Sequence, residues 1–214
     1  DIVNVLLAAN ADHSIATIDD GATPLFIAAE KGYLDIINVL LAANADPSAA
    51  TTDHGASPLY IATAKGHLDS VKVLLAANAD HSMVTIDDGQ TAIYRAASDG
   101  HLDIVNVLLA ANADHSMATT DDGATPLCMA TAEGHLDIVL ILLAAVGADS
   151  CTNDVLIGGD FDGQSLVSVA ANYGNLAVLQ VLVDGGAPTG TALTSNGATD
   201  LWLASSEGHA DVVR

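Results

Sequence analysis

The sequence predicts an all-α solenoid, in which a unit of two short helices is repeated along the chain. A glycine recurs at a constant interval, at Gly21, Gly55, Gly89 and Gly123. A second series keeps the same spacing: Gly32, Gly66, Gly100 and Gly134. Each unit also carries two short apolar segments that read as helices. Self-similarity at a period of about 20–50 residues is the signature of a repeat architecture.

Helix one of each unit is predicted from its first and last residues. In the first full unit, Thr23 caps the free amides, and Pro24 suits the first helical position because its missing N–H has no partner there. Gly32 ends the helix, where a left-handed backbone is needed. The opening pair recurs at Ser57-Pro58 and Thr125-Pro126. Three units lack the Pro, which leaves the start of helix one less well defined there: Ala92, Leu166 and Asp200.

Helix two follows as the segment 34–41, Leu-Asp-Ile-Ile-Asn-Val-Leu-Leu. Asp35 lies in its first turn, where a negative charge favours the helix dipole. Asn44 is predicted to close the helix in the left-handed conformation. The equivalents of this closing residue are Asn78 and Asn112. Helices this short are marginal alone in water, so their apolar faces must stack on the neighbouring unit. That face consists of Ile36, Val39 and Leu40.

Composition and charge restrict the classes of partner. Half of the residues are hydrophobic but only 3% are aromatic, so the chain is predicted to pack thin helices closely without building a large aromatic pocket. The net charge is −22, from 27 acidic and 5 basic side chains. Such a field repels nucleic acids and anionic membranes. It either favours a basic partner or keeps the protein soluble, and composition alone leaves both interpretations open.

The two cysteines form neither a disulfide framework nor a zinc-finger spacing. Their scarcity favours a reducing compartment, and hence an intracellular, cytoplasmic location. Cys128 is expected to be buried on a first helix, whereas Cys151 falls in a loop. The longest apolar run, 138–148, is shorter than the roughly 20 residues that a membrane span needs.

The repeated unit resembles the ankyrin repeat. The residues that carry this resemblance are Asp20-Gly21-Ala22-Thr23-Pro24-Leu25, Ala28-Ala29, Gly32, Leu40-Leu41 and Ala45-Asp46. The resemblance implies a curved stack of antiparallel helix pairs with projecting loops. Two features depart from the family: the period is 34 rather than 33, and its turn histidine is replaced. The replacing residues are Phe26, Tyr60, Tyr94, Cys128, Ser168 and Trp202.

We expect one solenoid domain made of successive repeats. The step from Gly123 to Gly163 is longer than the steps before it, so one unit carries an insertion of about six residues, which begins at Val146. The predicted units are a partial repeat at 1–18, full repeats at 19–52, 53–86 and 87–120, the repeat with the insertion at 121–160, a divergent repeat at 161–194 and a truncated repeat at 195–214. Neither end shows a polar capping repeat, and we expect further repeats on both sides in the natural protein.

The resemblance implies a protein partner, bound by the loop tips and the concave face of the first helices, with no catalytic residue and no cofactor. The variable contact positions of the family carry ten acidic and two basic side chains here, and Arg95 neutralises part of that charge. The candidate binding residues are Asp19, Asp20, Glu30, Lys31, Asp53, His54, Lys65, Asp87, Asp88, Gln90, Arg95, Asp99, Asp121, Asp122 and Glu133. Two alternatives remain: the Asp-Asp pairs serve only as turns, or the array is a structural spacer in a larger protein.

Other motifs that suggest chemistry are expected to be structural. Asp-His-Ser occurs at 12–14, 80–82 and 114–116, but three adjacent residues do not converge as a catalytic triad does. Histidines one repeat apart are too distant to share a zinc ion. The segment 160–163 lacks the twelve-residue calcium pattern. We therefore expect neither an enzyme, nor a metal site, nor a small-molecule substrate.

Overall fold

The computed structural model describes residues 2–146, 164–190 and 197–213, and in these ranges the backbone forms 13 α-helices and no β-strand. The predicted all-α fold class is confirmed. The chain divides into two compact units, unit 1 (Asp1–Ala96 and Asp103–Asp114) and unit 2 (Ala97–Leu102 and His115–Arg214). The helices are α1 (Ile2–Ala8), α2 (Pro24–Lys31), α3 (Leu34–Ala42), α4 (Pro58–Ala64), α5 (Leu68–Ala76), α6 (Ala92–Ser98), α7 (Leu102–Ala110), α8 (Pro126–Ala132), α9 (Leu136–Val146), α10 (Leu166–Asn172), α11 (Leu176–Asp184), α12 (Asp200–Ser206) and α13 (Ala210–Val213).

In unit 1 the helices form pairs, and the pairs stack. Helix α2 packs on α3 and α4 packs on α5, with short connections that fold each second helix back on the first. The first helices α2 and α4 also pack on each other, as do the second helices α3 and α5. The core between them is aliphatic, and its fully buried side chains include Leu25, Ile37, Leu59 and Leu74. Each pair thus covers the apolar face of the next, as the shortness of the helices requires.

Unit 2 repeats this arrangement. Helices α8 and α9, α10 and α11, and α12 and α13 form the pairs. The first helices α8, α10 and α12 stack in that order, and so do the second helices α9, α11 and α13. Ile138, Leu142 and Val167 are fully buried in its core.

A hydroxyl cap begins helix one whether or not a Pro follows it. The Oγ atoms of Thr23 and Ser57 accept the N–H three residues further on, at 3.2 and 3.1 Å. Where the Pro is missing, Thr91 and Ser165 make the same bond at 3.2 Å, and the helix begins on the next residue. The cap therefore defines the start of the helix, and the absence of Pro does not move it.

Asp200 stands in the Pro position of α12 and is buried. Its carboxylate accepts the Ser168 hydroxyl at 2.6 Å and the Gly190 N–H at 2.9 Å. A buried polar group costs free energy unless it is hydrogen-bonded, and these two bonds meet that need. They also tie the start of α12 to α10 within unit 2.

The predicted helix ends are confirmed. Gly32 is left-handed with φ = 67°, and its N–H bonds back to α2. The asparagines after helix two share a φ of 61–65°: Asn10, Asn44, Asn78 and Asn112.

Helix α9 continues to Val146 and has 11 residues, against nine in α3 and α5, so the first residue of the insertion extends the helix. The rest of the insertion, Cys151 and the 160–163 segment lie outside the described residues.

At three of the described junctions, a histidine before helix two connects the repeat to the preceding one. The His67 Nε2–H donates to the carbonyl oxygen of Glu30 at 3.0 Å. Equivalent bonds in unit 2 join His135 to the Ser98 carbonyl (3.0 Å) and His209 to the Asn172 carbonyl (2.8 Å). The His67 ring lies against Gly32, where a Cβ atom would be only 2.7 Å from its Nδ1. The glycine thus provides both the left-handed turn and the space for the ring.

We expect His67→Ala to lower the free energy of unfolding by about 1–2 kcal/mol, because the Glu30 carbonyl loses its partner. Gly32→Ala should cost at least about 1–2 kcal/mol from the left-handed backbone alone, and more because the new methyl meets the ring. In the double variant the ring is gone, so the combined cost should be smaller than the sum by about 0.5 kcal/mol or more. Urea unfolding followed by circular dichroism measures all three values, and strictly additive costs would contradict the steric coupling.

Candidate protein-interaction surface

Four turns of the same construction precede the first helices of four successive repeats. Each begins with a threonine, and we name them the first (17–22), second (51–56), third (85–90) and fourth (119–124) turn. In each, the threonine N–H donates to the carbonyl of the last residue at 3.0 Å. The threonine Oγ accepts the N–H of that same last residue, at 2.8–3.1 Å. A short side chain therefore closes each turn internally.

The second acidic residue of three turns is part of this closure. Asp20, Asp88 and Asp122 each accept the hydroxyl of the threonine that opens the turn, at 2.5 Å for Thr85 and Asp88. All three are half-buried. The Thr17 hydroxyl, followed by the Ala22 N–H, lowers the pKa of Asp20, because both bonds favour the charged carboxylate.

The first acidic residue of each turn is exposed instead. These residues are Asp19, Asp53 and Asp87 in unit 1 and Asp121 in unit 2. Asp53 accepts the N–H of His54 at 2.7 Å, and that bond, with a contribution from Thr51, lowers its pKa. The four candidates at these positions are therefore open to solvent, and the lowered pKa keeps Asp53 charged at neutral pH.

The second turn differs because His54 replaces the second acidic residue. Its Nδ1 lies 2.5 Å from Asp87 of the third turn, and its Nε2 lies 3.5 Å from Asp53. The hydrogen bond to Asp87 and the charges of both carboxylates raise the pKa of His54. Backbone bonds also connect consecutive turns: the N–H groups of Thr52 and Ile86 donate to the carbonyls of Asp20 and His54, both at 2.8 Å.

The remaining candidates are less uniform. Glu30 pairs with the neighbouring Lys31 at 2.9 Å, so these two charges largely cancel. Gln90 accepts the Tyr60 hydroxyl at 2.7 Å and donates to Asp88 at 2.7 Å, which gives it a structural role. Lys65 and Glu133 are exposed just after α4 and α8. Arg95 and Asp99 are half-buried, on α6 and directly after it.

The motifs that suggested chemistry have structural roles where they are described. Asp12 accepts the N–H and the hydroxyl of Ser14, at 2.8 and 2.6 Å, and Asp80 and Ser82 repeat both bonds. These serines bond to a carboxylate and form a turn, as the sequence predicts. Within the described ranges, no group of His, Cys, Asp and Glu side chains has the arrangement of a metal site. None of the described helices is long and apolar enough to cross a bilayer.

The threonines that close the turns were not predicted from the sequence. Thr17, Thr51, Thr85 and Thr119 recur with the same spacing as the glycines. That spacing was the available signal, and it marks them as part of the turn rather than of the contact surface.

Comparison with known protein families gives one match. A family model described as ankyrin repeats (3 copies) matches residues 1–85 and 78–154, which is more than half of the chain. No curated protein matches the chain significantly.

We expect Thr17→Val to raise the pKa of Asp20 part of the way toward its ordinary value of 3.8, since the strongest bond to the carboxylate is removed. An NMR pH titration of the carboxyl carbons measures this shift. Asp80 is the internal control, because Ser82 and not a turn threonine lowers its pKa. If the pKa values of Asp20 and Asp80 are both unchanged, the Thr17 hydroxyl is not the main cause of the lowered pKa of Asp20.

We expect Cys128 to resist alkylation in the folded protein. The thiol is buried, and its burial raises its pKa to about 12, so only roughly one thiol in ten thousand is ionised at pH 8. Iodoacetamide labelling of a Cys151→Ser variant, read by mass spectrometry, should show labelling in urea and almost none in buffer. Equal labelling rates in the two solvents would show that the thiol is accessible.

Proposed function

Because the chain belongs to the ankyrin-repeat family, whose repeats generally mediate protein–protein interaction, we propose that it holds a basic protein partner at the tips of its turns. The observation that carries this proposal is that the residues of a turn have different roles. In the first, third and fourth turns the threonine and the second acidic residue bond to each other, while the first acidic residue is exposed in all four turns. Asp19, Asp53 and Asp87 place three such carboxylates along unit 1.

The charge balance of the whole chain supports the same partner. With 27 acidic and 5 basic side chains, the long-range field attracts cations and accelerates encounter with a basic surface. Fixed turns add to this effect, because carboxylates that are already positioned lose little conformational entropy when a partner binds. Recognition of this kind weakens as salt screens the charges over a Debye length of about 8 Å at physiological ionic strength.

A structural spacer remains the second candidate, and one observation favours it. The exposed acidic residue is the same in the four turns, at Asp19, Asp53, Asp87 and Asp121. Surfaces that recognise one partner specifically tend to differ from repeat to repeat. A spacer predicts that these carboxylates serve only solubility.

A pull-down with matched variants tests the proposed function. The first variant is Asp19→Asn, Asp53→Asn, Asp87→Asn, which removes three exposed carboxylates from the turn tips of unit 1. The control is Asp35→Asn, Asp69→Asn, Asp103→Asn, which removes three exposed carboxylates from second helices of the same unit. The two variants therefore carry the same net charge.

We expect the turn variant to lose at least tenfold in bound partner at about 50 mM salt, while the control stays within about twofold of the unmodified chain. Bound proteins are quantified by mass spectrometry, and circular dichroism checks that both variants fold. At about 500 mM salt the unmodified chain should also lose its partner. Equal capture by both variants at both salt concentrations would reject the acidic turn tips as the recognition surface and favour the spacer.

A further inference from the structure

A cavity of about 320 Å³ opens in unit 1 between the first three turns and the helices α2 and α4. The helices contribute Phe26 from α2, and Tyr60 and Ile61 from α4. The turns contribute four carboxylates: Asp20, Asp53, Asp87 and Asp88. Its volume is at the lower end of the range of about 300–1,000 Å³ for ligand pockets, so it suits one side chain rather than a folded element.

The walls of the cavity are held in place by hydrogen bonds. The Tyr60 hydroxyl donates to Gln90 at 2.7 Å, and the amide of Gln90 donates in turn to Asp88 at 2.7 Å. The Thr85 hydroxyl donates to Asp88 at 2.5 Å. This network connects the Tyr60 ring to the Asp88 carboxylate, so these two groups are positioned before any ligand arrives.

The charge of the cavity favours a cation. No Lys or Arg side chain lines it, and the only base among its lining residues is His54. That imidazole lies 2.5 Å from Asp87 and 3.5 Å from Asp53. Even when it is protonated, the four carboxylates leave a net negative charge beside two half-buried aromatic rings. Acidic and aromatic groups that converge in one place attract a cation both by charge and by the negative faces of the rings.

We propose that this cavity receives an arginine side chain of the protein partner. The inference rests on the proposed function, because it supplies the residue by which a basic partner is recognised. A guanidinium group is planar, so it stacks on Phe26 or Tyr60 while its N–H groups fork toward the carboxylates. A lysine ammonium is a compact and strongly hydrated charge, and it uses an aromatic wall less completely.

His54 competes with the arginine for the same carboxylates. All the charged groups that face it are acidic, namely Asp53, Asp87 and Asp88. When His54 is protonated it pairs with Asp87 and Asp53, and when it loses its proton those carboxylates become available. Arginine therefore binds more tightly as the pH rises through the titration of His54, which is displaced upward from its ordinary value.

The direct test is an NMR titration of the full chain with Nα-acetyl-arginine amide. We expect saturable shifts, with a dissociation constant in the millimolar range, in the signals of Tyr60, Ile61, His54 and Gln90. The neutral analogue Nα-acetyl-citrulline amide should cause no saturable shift, and Nα-acetyl-lysine amide should bind several-fold more weakly. Equal binding of citrulline, or shifts spread over all exposed aspartates, would overturn the proposal. Equal binding of the lysine compound would overturn the choice of arginine.

Matched variants separate the cavity from the general acidic surface. Phe26→Leu, Tyr60→Leu keeps apolar bulk and removes both rings, and it should weaken arginine binding about fivefold or more. Tyr33→Leu is the control, because Tyr33 is an exposed aromatic residue outside the cavity. If the double variant does not fold, a second pair of variants replaces it. The cavity variant is then Asp53→Asn, Asp87→Asn, and its control is Asp35→Asn, Asp69→Asn. Loss of binding in a control variant, or retention in the cavity variant, contradicts the proposal.

The pH dependence provides a readout that a structural role would not change. Binding should tighten several-fold between about pH 5.5 and about pH 9, and His54→Ala should remove that dependence.

Failure of the arginine proposal can be distinguished from failure of the proposed function by the pull-down. If the double variant Phe26→Leu, Tyr60→Leu captures the partner normally while the turn-tip variant does not, that result supports a basic partner and contradicts the binding of its arginine in the cavity. Normal capture of the partner by the turn-tip variant as well would contradict the proposed function itself.

Discussion

None of the described helices is long enough to be stable alone, and the stacking of the helix pairs follows from that constraint. The helices of unit 1 have seven to nine residues, well below the roughly 12–15 residues at which an isolated helix becomes even marginal. They persist because each apolar face is covered by the adjacent pair. The fully buried Leu25 and Leu59 hold corresponding positions on α2 and α4, which pack on each other. A repeat is therefore a structural unit only in contact with its neighbours.

This constraint separates the residues that fold the chain from those that remain available to a partner. Within the third turn, Thr85 and Asp88 bond to each other and Thr85 bonds to the backbone, while Asp87 is exposed and pairs with His54 of the second turn. The same separation occurs at helix ends, where Gly32 and His67 are committed to the contact between repeats. The first acidic residues of the turns are exposed, and such positions are where a binding surface can vary.

The sequence was sufficient to predict the fold because the rules that govern helix ends are local. Thr23, Pro24 and Asn44 act through their own backbone geometry and side-chain bonds, and local effects can be read without knowing the contacts. The roles of the two acids in each turn could not be read in this way. Asp19 and Asp20 are identical and adjacent, and only the direction in which each side chain points decides which one meets Thr17. The aromatic cavity was missed for a related reason: a composition with 3% aromatic residues says nothing about where the few rings lie. Phe26 and Tyr60 occupy the same position in consecutive repeats, so stacking brings them to one cavity.

The bond between His67 and the Glu30 carbonyl bears on how such a chain changes length over evolution. Donor and acceptor lie 37 residues apart, slightly more than one period, so every inserted copy of a repeat brings a ring for the copy before it and a carbonyl for the copy after it. Gene duplication in whole multiples of the repeat would leave each interior junction chemically complete.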